Sequence, residues 1–193
     1  MKLTFHTIGH STRSLGEFLE LLSEARIERI TDVRKIPRSR THPQFNQDTL
    51  PEALKAHHIS YEHLPTLGGR RGKSATSSAD VNAFWTNQSF RNYADYALTQ
   101  SFHDGLEHLL DEGRKQRCAI MCAEAVWWRC HRRIIADYLI ASGNAVLHIM
   151  GPGRVETARL TPGAVIQPDG TLIYPAVSQP RGRSRQRVHK PGV

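Results

Sequence analysis

A short stretch of the sequence, residues 122–132, holds carboxylate, thiol and imidazole groups close together. It opens with Cys122–Glu124, which follow an apolar run, and it closes with Cys130–Arg132. A carboxylate can activate water, a thiolate can attack as a nucleophile, and a histidine can transfer a proton near neutral pH. This stretch is therefore the first candidate for a catalytic site.

Two earlier β-prone runs also end in polar residues. The first run is followed by His10 and Ser11, and the second closes with Asp32 and Arg34. In an open parallel sheet, ligands bind outside the carboxyl ends of the strands. We therefore expect these side chains to gather with the 122–132 stretch at one edge of a sheet.

Glu124 is the favoured catalytic carboxylate, and Asp32 is the second candidate. Apolar neighbours would raise the pKa of Glu124, whereas the arginines that follow it would lower that pKa, and the sequence leaves the balance open. Both carboxylates also have structural alternatives. Glu124 could neutralise a helix dipole, and Asp32 could form an ion pair with Arg34 or Arg38.

Three further side chains complete the candidate catalytic set. His131 and His10 can donate a proton to a leaving group, although His131 could instead be a hydrogen-bonded core residue. Cys122 is the candidate thiolate, because a position just before a helix N-terminus lowers the pKa of a cysteine.

The three cysteines form an odd, clustered set, which predicts free thiols rather than disulfides. Cys118 and Cys122 are four residues apart on one predicted strand, roughly 13 Å, and cannot share a tetrahedral ion. Cys122, Cys130 and His131 could still converge across the intervening loop. Burial as small apolar side chains is nevertheless the favoured interpretation for Cys118 and Cys130, and neither a metal nor another cofactor is predicted.

Hydrophobic periodicity predicts alternating strands and helices in a single α/β domain over residues 1–175. The predicted strands are 4–8, 29–33, 59–64, 117–122 and 145–150, and the predicted helices are 14–25, 48–58, 93–110 with a break near 99–101, and 127–141. This alternation is typical of an open, mostly parallel sheet flanked by helices. Residues 165–174 add a small C-terminal β-hairpin.

Charge and hydropathy bound the environment of the protein. The formal net charge is +8, and residues 176–193 supply five basic side chains and no acid. Because this segment also lacks hydrophobic periodicity, it is predicted to be a disordered basic tail. No apolar run approaches the roughly 20 residues that cross a bilayer, and the N-terminus does not resemble a signal peptide. A cytoplasmic protein without a membrane partner is expected.

Six blocks of the sequence, within about residues 4–175, resemble the family called domain of unknown function 488. The blocks are Thr7–Thr12, Asp32–Arg34, Pro37–Arg40, Pro43–Asn46, Leu64–Gly69, and Cys122–Glu124 with Cys130–Arg132. Tyr61, Tyr93–Tyr96 and His148 extend the resemblance. It implies an α/β fold and points to the block residues as the site, but it implies no activity. One departure is Trp127–Trp128, where similar proteins often have a proline.

The first functional hypothesis is a nucleic-acid hydrolase that cleaves the N-glycosidic bond of a modified or damaged base, most of all in DNA. Such a reaction needs a carboxylate, cations for the flanking phosphates and aromatic rings that stack an extruded base. The candidate substrate-binding residues are Ser11, Arg34, Arg38, Arg40, Gln44, Phe45, Asn46, Tyr61, Gly68, Gly69, Arg70, Tyr93 and Arg132.

Two other classes remain open. A phosphatase or sulfurtransferase would use Cys122 as its nucleophile, but six residues separate Cys122 from Arg129 where phosphatase loops have five, and Glu124 would repel a bound oxyanion. A non-catalytic nucleic-acid-binding module would use the basic loops and tail alone.

Overall fold

A computed structural model of the chain describes residues 2–74, 78 and 80–176. The disordered tail predicted for 176–193 lies outside these residues, except for its first residue.

Six strands form the main sheet. They are β1 (Thr4–Gly9), β2 (Arg29–Asp32), β3 (Ser60–His63), β4 (Cys118–Cys122), β5 (Ala145–Gly151) and β6 (Arg154–Thr157). Their spatial order is β3-β2-β4-β1-β5-β6. The first five strands in this order are mutually parallel, and β6 pairs antiparallel with β5. The predicted open, mostly parallel sheet is therefore confirmed.

Helices cover both faces of this sheet. They are α1 (Leu15–Glu24), α2 (Leu50–Lys55), α3 (Gln88–Tyr96), α4 (Gln100–Lys115) and α5 (Arg132–Ala141). One apolar core joins α1 and α2 to the sheet through residues such as Phe18 and Leu54, and a second joins α3, α4 and α5 to it through residues such as Phe102 and Ile135. A two-stranded hairpin, β7 (Val165–Ile166) and β8 (Leu172–Ile173), confirms the predicted C-terminal hairpin. None of the helices in the described ranges combines the length and the apolar character needed to span a membrane.

The helix predicted at 93–110 is two helices, Gln88–Tyr96 and Gln100–Lys115, and the one predicted at 48–58 covers only Leu50–Lys55. Two further differences have a clear physical reason. The helix predicted at 127–141 begins only at Arg132, because a single 3₁₀ turn at Trp127–Arg129 is followed by extended backbone at Cys130. The strand β6 was not predicted. Its residues are mostly exposed, so the alternating pattern of a half-buried strand is missing from its sequence.

The start of α1 matches a capping box. The Ser14 hydroxyl accepts a hydrogen bond from the Glu17 backbone N–H at 3.2 Å, and the Ser14 N–H donates to the Glu17 carboxylate at 2.7 Å. This cap fixes where the chain leaves the loop after β1. The loop that holds His10 and Ser11 is therefore anchored at both ends.

Three neighbouring strands end together. The His10 N–H donates to the carbonyl of Cys122 at 2.9 Å, and the Val33 N–H donates to that of Met121 at 3.0 Å. A Cβ atom on Gly9 would lie 1.8 Å from the carbonyl oxygen of Glu124, so only glycine permits this approach. The loops after β1, β2 and β4 are thereby held against one another.

Gly113→Ala should destabilise the protein by about 1–3 kcal/mol, because its Cβ would lie 2.3 Å from Cζ of the fully buried Phe5. The matched control is Gly16→Ala in α1, where an added Cβ meets no atom within 4 Å. It should raise the free energy of unfolding by about 0.5–1 kcal/mol. Chemical denaturation measures both changes, and equal effects of the two substitutions would contradict the described packing.

Candidate functional site

A cleft of about 690 Å³ opens at the carboxyl ends of β1, β2 and β4. This volume is typical of small-molecule sites. The lining residues are His10, Ser11, Thr12, Arg34, Lys35, Ile36, Arg38, Ser39, His42, Gly69, Arg70, Cys122, Ala123, Glu124 and His131. Nine of the residues proposed from the sequence line this cleft. The cleft therefore contains side chains from three separate strand ends, as the sequence predicted.

Asp32 forms a buried ion pair beside the cleft and does not line it. The Arg34 Nε–H donates to the carboxylate at 2.9 Å, and the Tyr61 hydroxyl donates to it at 2.7 Å. Asp32 is fully buried, and Arg34 is nearly so. The structural alternative for Asp32 is therefore the observed arrangement, and its carboxylate faces protein donors rather than the cleft.

His10 is held from both ring nitrogens. Nδ1 lies 3.0 Å from the carbonyl of Ser11, which can only accept, so Nδ1 carries the proton and Nε2 accepts from Arg34 at 3.2 Å. The ring stacks on Phe45 with a centroid distance of 4.4 Å. Burial lowers the pKa of His10 to about 4. The imidazole is therefore neutral at pH 7 and has no free N–H for a leaving group in this arrangement.

Cys122, Cys130 and His131 converge, and their ligand-capable atoms all lie within 4.8 Å of one another. The Nε2–H of His131 donates to the carbonyl of Val33 at 3.1 Å, and its Nδ1 lies 3.6 Å from Sγ of Cys130, within hydrogen-bond distance of the sulfur. The Nε–H of Arg132 donates to the same sulfur at 3.2 Å. The convergence that the loop length allows is thus present in the structure.

The two thiols of this cluster ionise differently. Burial opposes ionisation of Cys130, but the Cys122 thiol and the Arg132 guanidinium outweigh it and hold the pKa of Cys130 well below its usual range. The contact with Cys130, together with burial, raises the pKa of Cys122 well above its usual range. Cys130 is therefore the thiolate and Cys122 the thiol, the reverse of the nucleophile expected from the sequence.

Arg132 is 1% exposed and is the largest fully buried side chain of the described residues. Within those residues it forms no salt bridge with a carboxylate, whereas it contacts Cys130 and the carbonyl of Glu124. A buried charge without a counter-charge is strongly destabilising. The Cys130 thiolate supplies that counter-charge. The ion pair between Arg132 and Cys130 therefore has a structural role.

Glu124 is the exposed carboxylate of the cleft. It also lines a smaller cavity of about 200 Å³ next to Tyr93 and His131. Glu124 lies eight residues before the first residue of α5, which places it outside the first turn of that helix. In the part of the chain that the structure describes, no salt bridge joins Glu124 to a cation within 4 Å. Its side chain is therefore available to a ligand.

The aromatic residues proposed to stack a base are engaged elsewhere. Phe45 is fully buried against His10 and Phe18, and Tyr93 is buried with its hydroxyl donating to the carbonyl of Leu67 at 2.6 Å. Tyr61 is bound to Asp32. These three rings support the walls of the cleft and do not line it.

Four other proposed residues shape the surrounding loops instead of lining the cleft. The Gln44 side chain donates to the carbonyl of Arg13 at 3.3 Å, and the Asn46 side chain accepts from the Ser39 N–H at 2.6 Å. Gly68 lies against the backbone of Lys35, and Arg40 is exposed. The sequence could not separate these supporting roles from direct binding.

Lys35, Ile36, Ser39 and His42 line the cleft but were not proposed from the sequence. All four belong to the loop after β2. The mixture of basic residues and prolines in this loop could have identified it as part of the cleft. Ile36 is 60% exposed and gives this rim one large apolar side chain. Ser11 and Arg70 add strain, because both non-glycine residues adopt positive φ, 49° and 55°.

The fold and the site define an α/β protein with a basic cleft at the carboxyl ends of its parallel strands. The family model described as Domain of unknown function DUF488 matches residues 14–139, about two thirds of the chain, and the chain belongs to this family. The resemblance carried by the sequence blocks is therefore confirmed. No curated protein and no solved structure matches the chain.

Asp32→Asn should lower the free energy of unfolding by about 3–5 kcal/mol, because it leaves the Arg34 guanidinium buried without a counter-charge. Asp48→Asn is the matched control, since Asp48 pairs with Arg38 at 3.9 Å with both side chains mostly exposed. It should change stability by less than about 0.5 kcal/mol. Urea denaturation compares the two variants. Similar losses in both would contradict the assigned burial of Asp32.

The stability of the protein should fall as pH falls from 6.5 to about 4. His10 binds its proton only near pH 4 in the folded state, whereas the unfolded chain binds it near pH 6.5, so acid favours unfolding in that window. His10→Gln should show a smaller loss of unfolding free energy over the same window. His57→Gln, at an exposed position, is the control and should follow the unsubstituted protein. An unchanged pH dependence in His10→Gln would refute the assignment.

Proposed function

We propose that this protein is a hydrolase that cleaves the N-glycosidic bond of a modified base in nucleic acid, with Glu124 as its general base. The observation that carries the proposal is the composition of the cleft. Glu124 is the one carboxylate among its lining residues, and it stands with four cations. The cations are Arg34, Lys35, Arg38 and Arg70.

The cations suit a substrate that carries phosphate groups. Lys35, Arg38 and Arg70 are exposed, so they can reach phosphates on either side of a target nucleotide. Arg34 is fixed by Asp32 and by the carbonyl of Phe45, so only part of its guanidinium faces the cleft. The three exposed cations, together with the buried Arg34, would bind the phosphate backbone of the nucleic acid without distinguishing its base sequence.

Glu124 would activate a water molecule for attack at the anomeric carbon. The new C–O bond forms as the glycosidic C–N bond breaks, and the proton that Glu124 takes from water passes to the departing base nitrogen. This route does not require a proton from His10 or His131, whose ring N–H groups already donate to carbonyls. The carboxylate is exposed to solvent, as a residue that must admit water needs to be.

Stacking of an extruded base requires an apolar surface, and Ile36 supplies one at the rim of the cleft. An exposed isoleucine can also wedge between base steps and favour extrusion. Ile36 thus takes the part first expected of Phe45, Tyr61 and Tyr93. DNA is the expected polymer, and RNA of the same sequence is the comparison.

A panel of oligonucleotide duplexes that each carry one modified base tests this function, with alkali treatment to reveal abasic sites. The unsubstituted protein should cleave at least one substrate, and Glu124→Gln should be slower by at least about 100-fold while binding is retained. Glu20→Gln, an exposed substitution on α1, is the matched control and should leave turnover unchanged.

Each other result of this assay points to a defined alternative. Turnover that survives Glu124→Gln refutes the proposed base. Binding to nucleic acid with no turnover on any substrate favours a non-catalytic module. Loss of turnover in Cys122→Ser with full activity in Glu124→Gln favours cysteine chemistry, which ranks lower because the thiol that faces the cleft is the protonated member of its pair.

A further inference from the structure

The cluster of Cys122, Cys130 and His131 has the donor set of a zinc site. Cysteine thiolate and imidazole nitrogen are the preferred zinc ligands, with bonds of about 2.3 and 2.0 Å. In a tetrahedron these bonds place a sulfur and a nitrogen about 3.5 Å apart. Sγ of Cys130 and Nδ1 of His131 lie 3.6 Å apart. The third ligand atom, Sγ of Cys122, is within 4.8 Å of both.

His131 is oriented as a metal-binding histidine is. Its Nε2–H is bound to the carbonyl of Val33 at 3.1 Å, which fixes the tautomer and directs the lone pair of Nδ1 towards the sulfur atoms. A backbone carbonyl on the far nitrogen is a common partner of histidines that bind zinc. The imidazole therefore needs no rotation before it can accept an ion.

Gly69 packs closely on the imidazole of His131. A Cβ at this position would lie 2.8 Å from Nδ1, 3.1 Å from Cε1 and 3.2 Å from Cγ, which places it over the face of the ring and inside van der Waals contact. The φ of Gly69 is outside the positive region, so backbone strain does not explain the glycine. Its close packing on the ring does, and that packing helps to hold the imidazole in position.

The charges of the cluster are compatible with a divalent cation. Zinc binding would displace the proton of Cys122, so that two thiolates would face both the ion and the Arg132 guanidinium. The Nε–H of Arg132 already donates to the sulfur of Cys130 at 3.2 Å. A donor on a sulfur atom stabilises its thiolate form, which is the form that binds metal. Arg132 also contacts the carbonyl of Glu124, so part of its charge faces away from the cluster.

We propose that Cys122, Cys130 and His131 bind one zinc ion at the floor of the cleft. Cys122 and His131 line the cleft, and in the described residues no fourth cysteine, histidine or carboxylate joins the group. Three protein ligands leave the fourth position to water or to a bound molecule, which is the pattern of catalytic zinc sites. The proposal concerns the ion alone and does not rest on the glycosidic reaction.

The test is metal content and cobalt spectroscopy on the full chain with any affinity tag removed. After chelation and dialysis against zinc, one ion per chain is expected by elemental analysis. Cobalt in place of zinc should give the near-ultraviolet charge-transfer band of thiolate ligation. Cys122→Ser, Cys130→Ser and His131→Gln should each weaken zinc binding by at least about 100-fold, beyond the 10–100-fold cost of losing an outer contact.

Two matched controls separate ligation from general disruption. Cys118→Ser removes the third buried thiol, which is not part of the cluster, and should leave zinc binding unchanged. Gly69→Ala should weaken binding because its Cβ would displace the imidazole of His131, whereas Gly72→Ala, whose Cβ would meet no atom within 4 Å, should not. If a cysteine variant fails to fold by circular dichroism, the cobalt spectrum of the unsubstituted protein still decides.

The proposal is overturned if the unsubstituted protein binds no zinc, if its cobalt spectrum lacks the thiolate band, or if Cys118→Ser weakens binding as much as Cys130→Ser. None of these results tests Glu124 as the general base. A protein that binds no zinc and still cleaves its substrate would refute the zinc site and leave the glycosidic function standing.

Discussion

The arrangement of the cleft depends on the buried guanidinium of Arg34. It binds Asp32 at the end of β2, the carbonyl of Phe45 in the following loop and His10 after β1. Each of these groups comes from a different part of the chain, so the ion pair sets the relative positions of two strand ends and one loop. Taking both charges out of water is costly, and the cost is met only because Tyr61 and the backbone N–H of Arg34 also donate to the carboxylate. Buried contacts therefore hold the wall of the cleft in place, whereas the cations beyond it are exposed to solvent.

A second buried cation organises the opposite side. Arg132 begins α5, contacts the sulfur of Cys130 and holds the carbonyl of Glu124. Its counter-charge is a thiolate where most buried arginines have a carboxylate. The same pairing explains why the ionised cysteine is the deeper one and why the cysteine at the cleft is protonated. A nucleophile would need the opposite arrangement, with the thiolate facing the substrate. A structural pair that can also take up a metal ion agrees better with this burial.

The sheet was predictable because β-prone runs alternate with helical patterns along the chain, most clearly at the apolar strand Cys118–Cys122. The polar residues at the strand ends suggested where Asp32, Glu124 and His10 would gather. Other features depend on contacts between distant residues. The burial of Asp32 involves Tyr61, 29 residues further along the chain, and the position of Glu124 outside the first turn of α5 follows from the 3₁₀ turn at Trp127–Arg129. The thiolate at Cys130 follows from the burial of Arg132, which hydrophobic periodicity does not report, because an arginine at a helix start is usually exposed. Strand β6 was not predicted because it lies at an exposed edge of the sheet, and its sequence therefore has no apolar pattern.

The backbone of Glu124 is held by several contacts, whereas its side chain is exposed. Its carbonyl is fixed by Arg132 on one side and by the close approach of Gly9 on the other. A carboxylate on such a backbone has a defined reach into the cleft without a protein partner that would compete with a ligand. The constraint also couples the two candidate chemistries, because Arg132 binds the Cys130 sulfur and the Glu124 carbonyl with one guanidinium. A change in the charge on that sulfur would alter the electrostatic environment of the guanidinium that holds the loop of Glu124. The carboxylate and the thiol cluster are thus linked through a single buried cation.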